Sequence, residues 1–171
     1  MDLSQLAPSD AAVALRSLER RYRGLFTGLG DDESPDDLAH RAVGGWSALE
    51  HLVAAARAIS AADRALAAVI TDDRPTLAAA DVDPAQRPKP GAPTGTVHER
   101  LSELGLEANA AADRIDAIPS DDWDRRGVVA GSGREVTALD LARLAVDAGV
   151  THLRAADQVL AAVRGKPTHP A

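Results

Sequence analysis

The chain has no cysteine. That excludes a disulfide framework, a thiolate metal site and a cysteine nucleophile together. Aromatic residues are almost missing as well, at 2 % of 171 residues. They are Tyr22, Phe26, Trp46 and Trp123, so a core has to be built from Ala, Leu, Val and Ile, which bring backbones close together. Lysine occurs only as Lys89 and Lys166. No apolar run reaches the ~18–20 residues of a membrane span, and no basic segment followed by an apolar run marks a signal peptide. Excess positive charge is absent too. The formal net charge of −7 works against a nucleic-acid partner, since phosphate binding needs a basic surface and single strands also want stacking aromatics. The expected setting is cytoplasmic, without membrane or nucleic-acid partners. One local exception is Arg16, Arg20, Arg21 and Arg23 in "LRSLERRYRG". It reads as a solvated helix face carrying Glu19, or as an anion-binding patch.

What the chain does have is 45 % apolar residues and helical periodicity. The length suits one domain, residues 1–171. Four segments carry apolar stripes in alternating steps of three and four, about residues 9–29, 47–70, 96–118 and 137–164. Ser9 is a candidate cap for the first. Ser47-x-x-Glu50 and Thr96-x-x-Glu99 read as capping boxes opening the second and third. Trp46, just before the Ser47 cap, suits a hydrophobic staple and is expected to be mostly buried. Ile118–Pro119 stops the third helix, and Gly165 with Pro167 stops the fourth, leaving a frayed tail. Four long amphipathic helices predict an all-α four-helix bundle. A weak strand signal lies at 127–136, where "GSG" suits a short hairpin turn. The acidic 30–45 segment, the proline-rich 71–95 segment and the 119–136 segment are longer than simple bundle turns. At least one is therefore expected to cross over between parallel helices, with 71–95 lying outside the bundle.

Chemistry is sparse. The five histidines are His40, His51, His98, His152 and His169, and no two are spaced i,i+3 or i,i+4. The histidine pair that one helix face offers a metal is therefore absent, and so is His-Glu-x-x-His. A lone histidine beside an apolar stripe is most often a packed boundary residue, and His51 and His152 both fit that reading. Asp31-Asp32-Glu33, Asp72-Asp73 and Asp121-Asp122 fall in connections and read as turn chemistry. "GSGRE" lacks the Lys-Ser/Thr of a phosphate loop, and Ser47 reads as a cap rather than a nucleophile. No catalytic residue stands out.

Three phrases, "GGWSALEHLVAA", "LERRYRGLFTGL" and the long C-terminal "DDWDRRGVVAGSGREVTALDLARLAVDAGVTHLRAADQVLAAVRG", resemble in order and spacing the DinB-like superfamily of four-helix metalloproteins. The nearest likeness is to the metal-binding domain of mycothiol-dependent maleylpyruvate isomerases. The resemblance covers essentially the whole chain. It implies a bundle with long connections and, in intact members, a divalent metal near one bundle end that assists thiol or other nucleophile transfer. The ligand positions it implies read here as Ala54, Asp147 and Thr151, of which only Asp147 is a metal donor of the right kind. A shifted site of His51, Asp147 and His152 is the alternative, holding zinc or nickel and supporting a metal-dependent thiol S-transferase or isomerase. The leading expectation is a degenerate site that needs no cofactor, in a protein that binds a small molecule or a partner protein. A homodimer is a further possibility, which would leave a large apolar helix face over. If Asp147 is buried without a metal, Arg143 one turn earlier is its expected partner.

Overall fold

The structure, a computed structural model, describes residues 5–27, 34–89, 91 and 93–164. Leu29, the Asp31–Glu33 run, His169 and the tail after Gly165 lie outside these. Four long helices form a bundle: α1 (Pro8–Phe26), α3 (Ala48–Thr71), α5 (Val97–Ala117) and α6 (Ala138–Val163). Two short helices sit in the connections, α2 (Pro35–His40) and α4 (Ala79–Val82). The start of α1 differs from expectation. Ala7 is the capping position and Pro8 opens the helix, where a missing N–H costs nothing and the fixed φ suits a first turn. The other three long helices begin with complete capping boxes, Ser47–Glu50, Thr96–Glu99 and Thr137–Asp140. Each box satisfies backbone donors that would otherwise be orphaned at the helix start.

The long helices pack in a ring of α1, α5, α3 and α6. Their directions follow from paired contacts. On α1 and α6, Leu6 meets Arg143 and Leu25 meets Arg164, so these two run parallel. On α3 and α6, His51 meets His152 while Ile59 lies by Gly149, so they run antiparallel. On α1 and α5, Arg16 meets Asp113 and Asp116 while Glu19 lies against Gly105, which is antiparallel again. Neighbouring α3 and α5 must therefore point the same way, and the segment between them is a crossover along the bundle.

That crossover lies outside the four-helix ring but is tied to it. Leu77 and Val82 are buried, Asp81 accepts from Arg64 of α3 at 2.8 Å, and among the described residues no helix runs through the prolines beyond a three-residue 3-10 turn at Pro84–Gln86. Its first residues form β1 (Thr76–Leu77), which pairs parallel with β2 (Arg126–Val129); β2 then pairs antiparallel with β3 (Glu135–Thr137). The β2–β3 hairpin turns through Gly131 and Gly133, both at positive φ, as glycine allows.

The core is aliphatic and close-packed. A Cβ on Gly149 would stand 2.5 Å from Leu18 Cδ1, so α1 and α6 touch where a side chain is missing. Beside that point the buried Tyr22 hydroxyl donates to the Gly149 carbonyl at 3.1 Å. Burial raises the Tyr22 pKa, keeping the phenol a donor. The Arg16–Arg23 run is used structurally at both ends: Arg16 bridges to Asp113 and Asp116, and Arg23 pairs with Glu19. Large apolar side chains left exposed are Val13, Val43 and Leu106, on three separate segments, so the described residues leave no large apolar helix face. No described helix is long and apolar enough to cross a membrane.

Candidate functional site

The start of α3 builds one wall of the site. Ser47 Oγ accepts the Glu50 N–H at 3.2 Å and Glu50 Oε2 accepts the Ser47 N–H at 2.6 Å. With the cap fixed at Ser47, Trp46 precedes it and His51 is the fourth helical residue, the two positions a hydrophobic staple joins. Here the staple is an indole on an imidazole, with ring centroids 5.2 Å apart. The indole is not closed into the core, as a fully apolar staple would be. It stays partly exposed, and its second neighbour is the half-buried His152 of α6. The Trp46 and His152 rings stack at 5.9 Å with 15° between their planes.

His51 and His152 face each other with Nδ1 to Nδ1 at 3.2 Å. A hydrogen bond of that length needs one ring protonated at Nδ1 and the other bare there, so the pair is suited to two neutral imidazoles. The surroundings agree. Burial lowers the His51 pKa, with nearby Glu50 opposing. Burial, then His51, then Arg87 push His152 down to about 4. Both rings are half-buried, and charging either would strand a cation with too little water.

The other proposed ligands do not join them. Asp147 and Thr151 are exposed, while Ala148, Leu153 and Ala156 on α6 are buried. The α6 register implied by the family resemblance therefore aims its two ligand positions at solvent, and the position next in sequence, His152, faces α3. Arg143 does not pair with Asp147; its Nε donates to the Leu6 carbonyl at 3.1 Å, and exposed Asp147 needs no partner. Ala54 lines the cavity beside His152 with a methyl group. Among the described residues no group of three or more His, Cys, Asp or Glu stands close enough to hold a metal. The fit to a divalent ion is thus partial. Two imidazole nitrogens on a tetrahedral ion would stand about 3.3 Å apart, close to the separation present, but a third protein ligand is missing. His40 and His98 are exposed on other elements.

Trp46 and His152 of the ring cluster line a cavity of about 630 Å³. Its floor is the α3 face Ala54, Arg57, Ala61 and Arg64, spaced by three and four. Its roof is the crossover from Ala80 to Lys89, and Glu103 and Glu107 of α5 close one side. Arg87 holds the roof in shape, donating from Nε to the Ala80 carbonyl and from Nη2 to the Asp81 carbonyl, both at 3.1 Å. Burial lowers its pKa, partly offset by Asp81 and Asp83. Sequence reasoning missed Arg57 and Arg87. The alternation of alanine and arginine on a second face of α3 was a usable signal. The placement of Arg87 depends on how the crossover folds back, which no local pattern encodes.

No family model and no curated protein sequence matches the chain. Among solved structures it is similar to YfiT from Bacillus subtilis, described as a probable metal-dependent hydrolase with an unusual four-helix bundle topology. The TM-score is 0.72 at 14 % identity, over 95 % of this chain and 90 % of that one. At that identity the likeness is one of fold.

Proposed function

We propose that this bundle binds a small molecule in the cavity between α3 and the crossover, and that its metal site is degenerate and supports no robust catalysis. The observation that carries the reading is the donor set beside the cavity. His51 and His152 bond each other, Ala54 offers a methyl group, and Asp147 faces solvent. A helix-built divalent site needs about three protein donors, and two imidazoles alone bind weakly. Without a firmly held ion there is no Lewis acid to lower the pKa of a bound water or thiol, so the thiol chemistry implied by the sequence resemblance is expected to be absent or very slow.

A second reading keeps the maleylpyruvate-isomerase likeness in full: a mycothiol-type, metal-dependent transferase or isomerase using a shifted site. The nitrogen separation of the histidine pair favours it, and so does the metal dependence ascribed to YfiT. There His51 and His152 would hold the ion, which would supply an activated thiolate or water. Elemental analysis of protein purified without chelator or metal affinity resin separates the two. The degenerate site predicts well under one zinc or nickel per chain. About one per chain, lost in both His51→Ala and His152→Ala, would establish the second reading instead.

A further inference from the structure

The Trp46 indole is seated without being fastened. Its ring neighbours are His51, with centroids 5.2 Å apart, and His152, stacked at 5.9 Å. Among the described residues, the half-buried apolar side chains packed on the aliphatic core include Trp123 but not Trp46. Nor is the indole N–H shut in, since the one buried side-chain polar atom without a partner is Arg164 Nε. A half-exposed ring held by face contacts alone gives up only part of a full aromatic burial when it lifts away.

The chain that carries the indole is fixed at both ends and loose between them. On one side α2 is anchored: Leu38 and Ala39 are buried, and Asp36 Oδ1 accepts the Val97 N–H at 2.6 Å. On the other side Ser47 is buried in its capping box. From His40 to Gly45 every residue is exposed. Among the described residues, no backbone hydrogen bond holds the chain from Ala42 to Trp46. Gly44 stands at φ 71°, and neither Gly44 nor Gly45 has an atom within 4 Å of the place a Cβ would take. A glycine pair with nothing packed on it turns at little steric cost. It lies immediately ahead of the indole.

Behind the indole is the histidine pair. Each neutral imidazole carries one proton, so the shared Nδ1 contact leaves one ring with a bare Nε2 and the other with an Nε2–H. The pair therefore holds one acceptor and one donor, beside the cavity that Trp46 and His152 line.

We propose that Trp46 is a hinged cover over the histidine pair, and that a molecule in the cavity meets the two imidazoles only when the indole lifts on Gly44 and Gly45. In giving the cover something to admit, the proposal rests on the small-molecule reading of the cavity; the hinge motion does not. The two glycines act in opposite directions. The seated state needs Gly44 in the left-handed region, and lifting releases it, so alanine there penalises the seated state. Gly45 has open space and no positive φ, so alanine there fits the seated state and restricts the freedom gained on lifting.

Carbethoxylation by diethyl pyrocarbonate at pH 7.5, followed on the full chain by peptide mass mapping, tests the hinge. Exposed His98 is the internal standard, and circular dichroism confirms that each variant keeps its helices. When opening is fast relative to the reaction, the rate at the pair follows the lifted population. In the unaltered chain His51 and His152 should react more slowly than His98, and Trp46→Ala should speed them most. Gly44→Ala should speed them about five- to thirtyfold, the factor that the left-handed region costs a residue with a Cβ. Gly45→Ala should slow them about two- to fivefold, the factor by which alanine narrows the freedom of a glycine. Trp46→Ala leaving the pair's rate unchanged would overturn the cover. Glycine variants that change nothing, or that move the rate in the same direction, would overturn the hinge. The reagent is the only small molecule added, so these rates judge the hinge alone; if the small-molecule reading failed, the cover would lose its purpose and the rates would stand as given.

Discussion

Two residues carry most of the individuality of this site, and both are histidines that do better neutral. His152 titrates near 6.5 in an unfolded chain and at about 4 here; His51 is shifted the same way. Between those pH values the unfolded chain binds protons that the folded one refuses, so stability is full above about pH 6.5 and falls as the pH drops. The rings are only half-buried, and water screens part of the penalty, so the expected loss by pH 5 is about 1–2 kcal/mol. Glu99 and Glu135 have lowered pKa values and also lose stability in acid, but only below their ordinary 4.5. Urea unfolding between pH 7.5 and 5 should therefore show the histidine contribution alone, and His152→Gln should flatten that slope. A glycine is equally specific. Gly149→Ala gains about 1 kcal/mol of helix propensity but drives a methyl group into Leu18, 2.5 Å away. Overpacking of that kind costs about 1–3 kcal/mol, so net destabilisation is expected in chemical denaturation, and Leu18→Ala in the same chain should reduce the added penalty.

Among the elements, α3 does the most to place the site, and its start was legible from local rules. The Ser47–Glu50 box, the apolar stripe Leu52, Ala55, Ile59, Ala62, Leu66 and Val69, and the staple position of Trp46 all follow from spacing within one segment. Ser47 is itself buried. Ser47→Ala should cost about 1 kcal/mol, and because the cap sets the position of Trp46 it should also change the indole fluorescence. The meeting of His51 with His152 was not legible, because α3 and α6 are brought together by packing across 101 residues of chain. On α6 the apolar stripe Ala142, Val146, Gly149, Leu153, Ala156 and Leu160 was legible and is the buried face. The ligand positions implied by the family resemblance, Asp147 and Thr151, fall off that stripe and are exposed. The hairpin at 126–137 was readable from its glycines, whereas β1 was hidden. Two residues that gain their hydrogen bonds from a partner fifty positions away carry no pattern of their own.

At the scale of the molecule, the four stripes were enough to specify a bundle, and the excess length of the connections implied that one of them crosses over. Which one was decided by packing, since the pairing of α3 with α5 in parallel rests on contacts between distant segments. The same topology lays α1 directly alongside α6 and pointing the same way, joined from Leu6–Arg143 at one end to Leu25–Arg164 at the other. That arrangement has a mechanical consequence. A handle attached ahead of α1 and another behind α6 would sit at opposite ends of the bundle, about 28 Å apart for a helix of 19 residues. Tension between them would run along the helix axes and drag α1 past α6, stressing every contact of that seam at once instead of peeling them open in turn. Pulled in a single-molecule trap, the bundle should resist as a sheared joint, and the seam at Gly149 and Tyr22 should set the force at which it gives way.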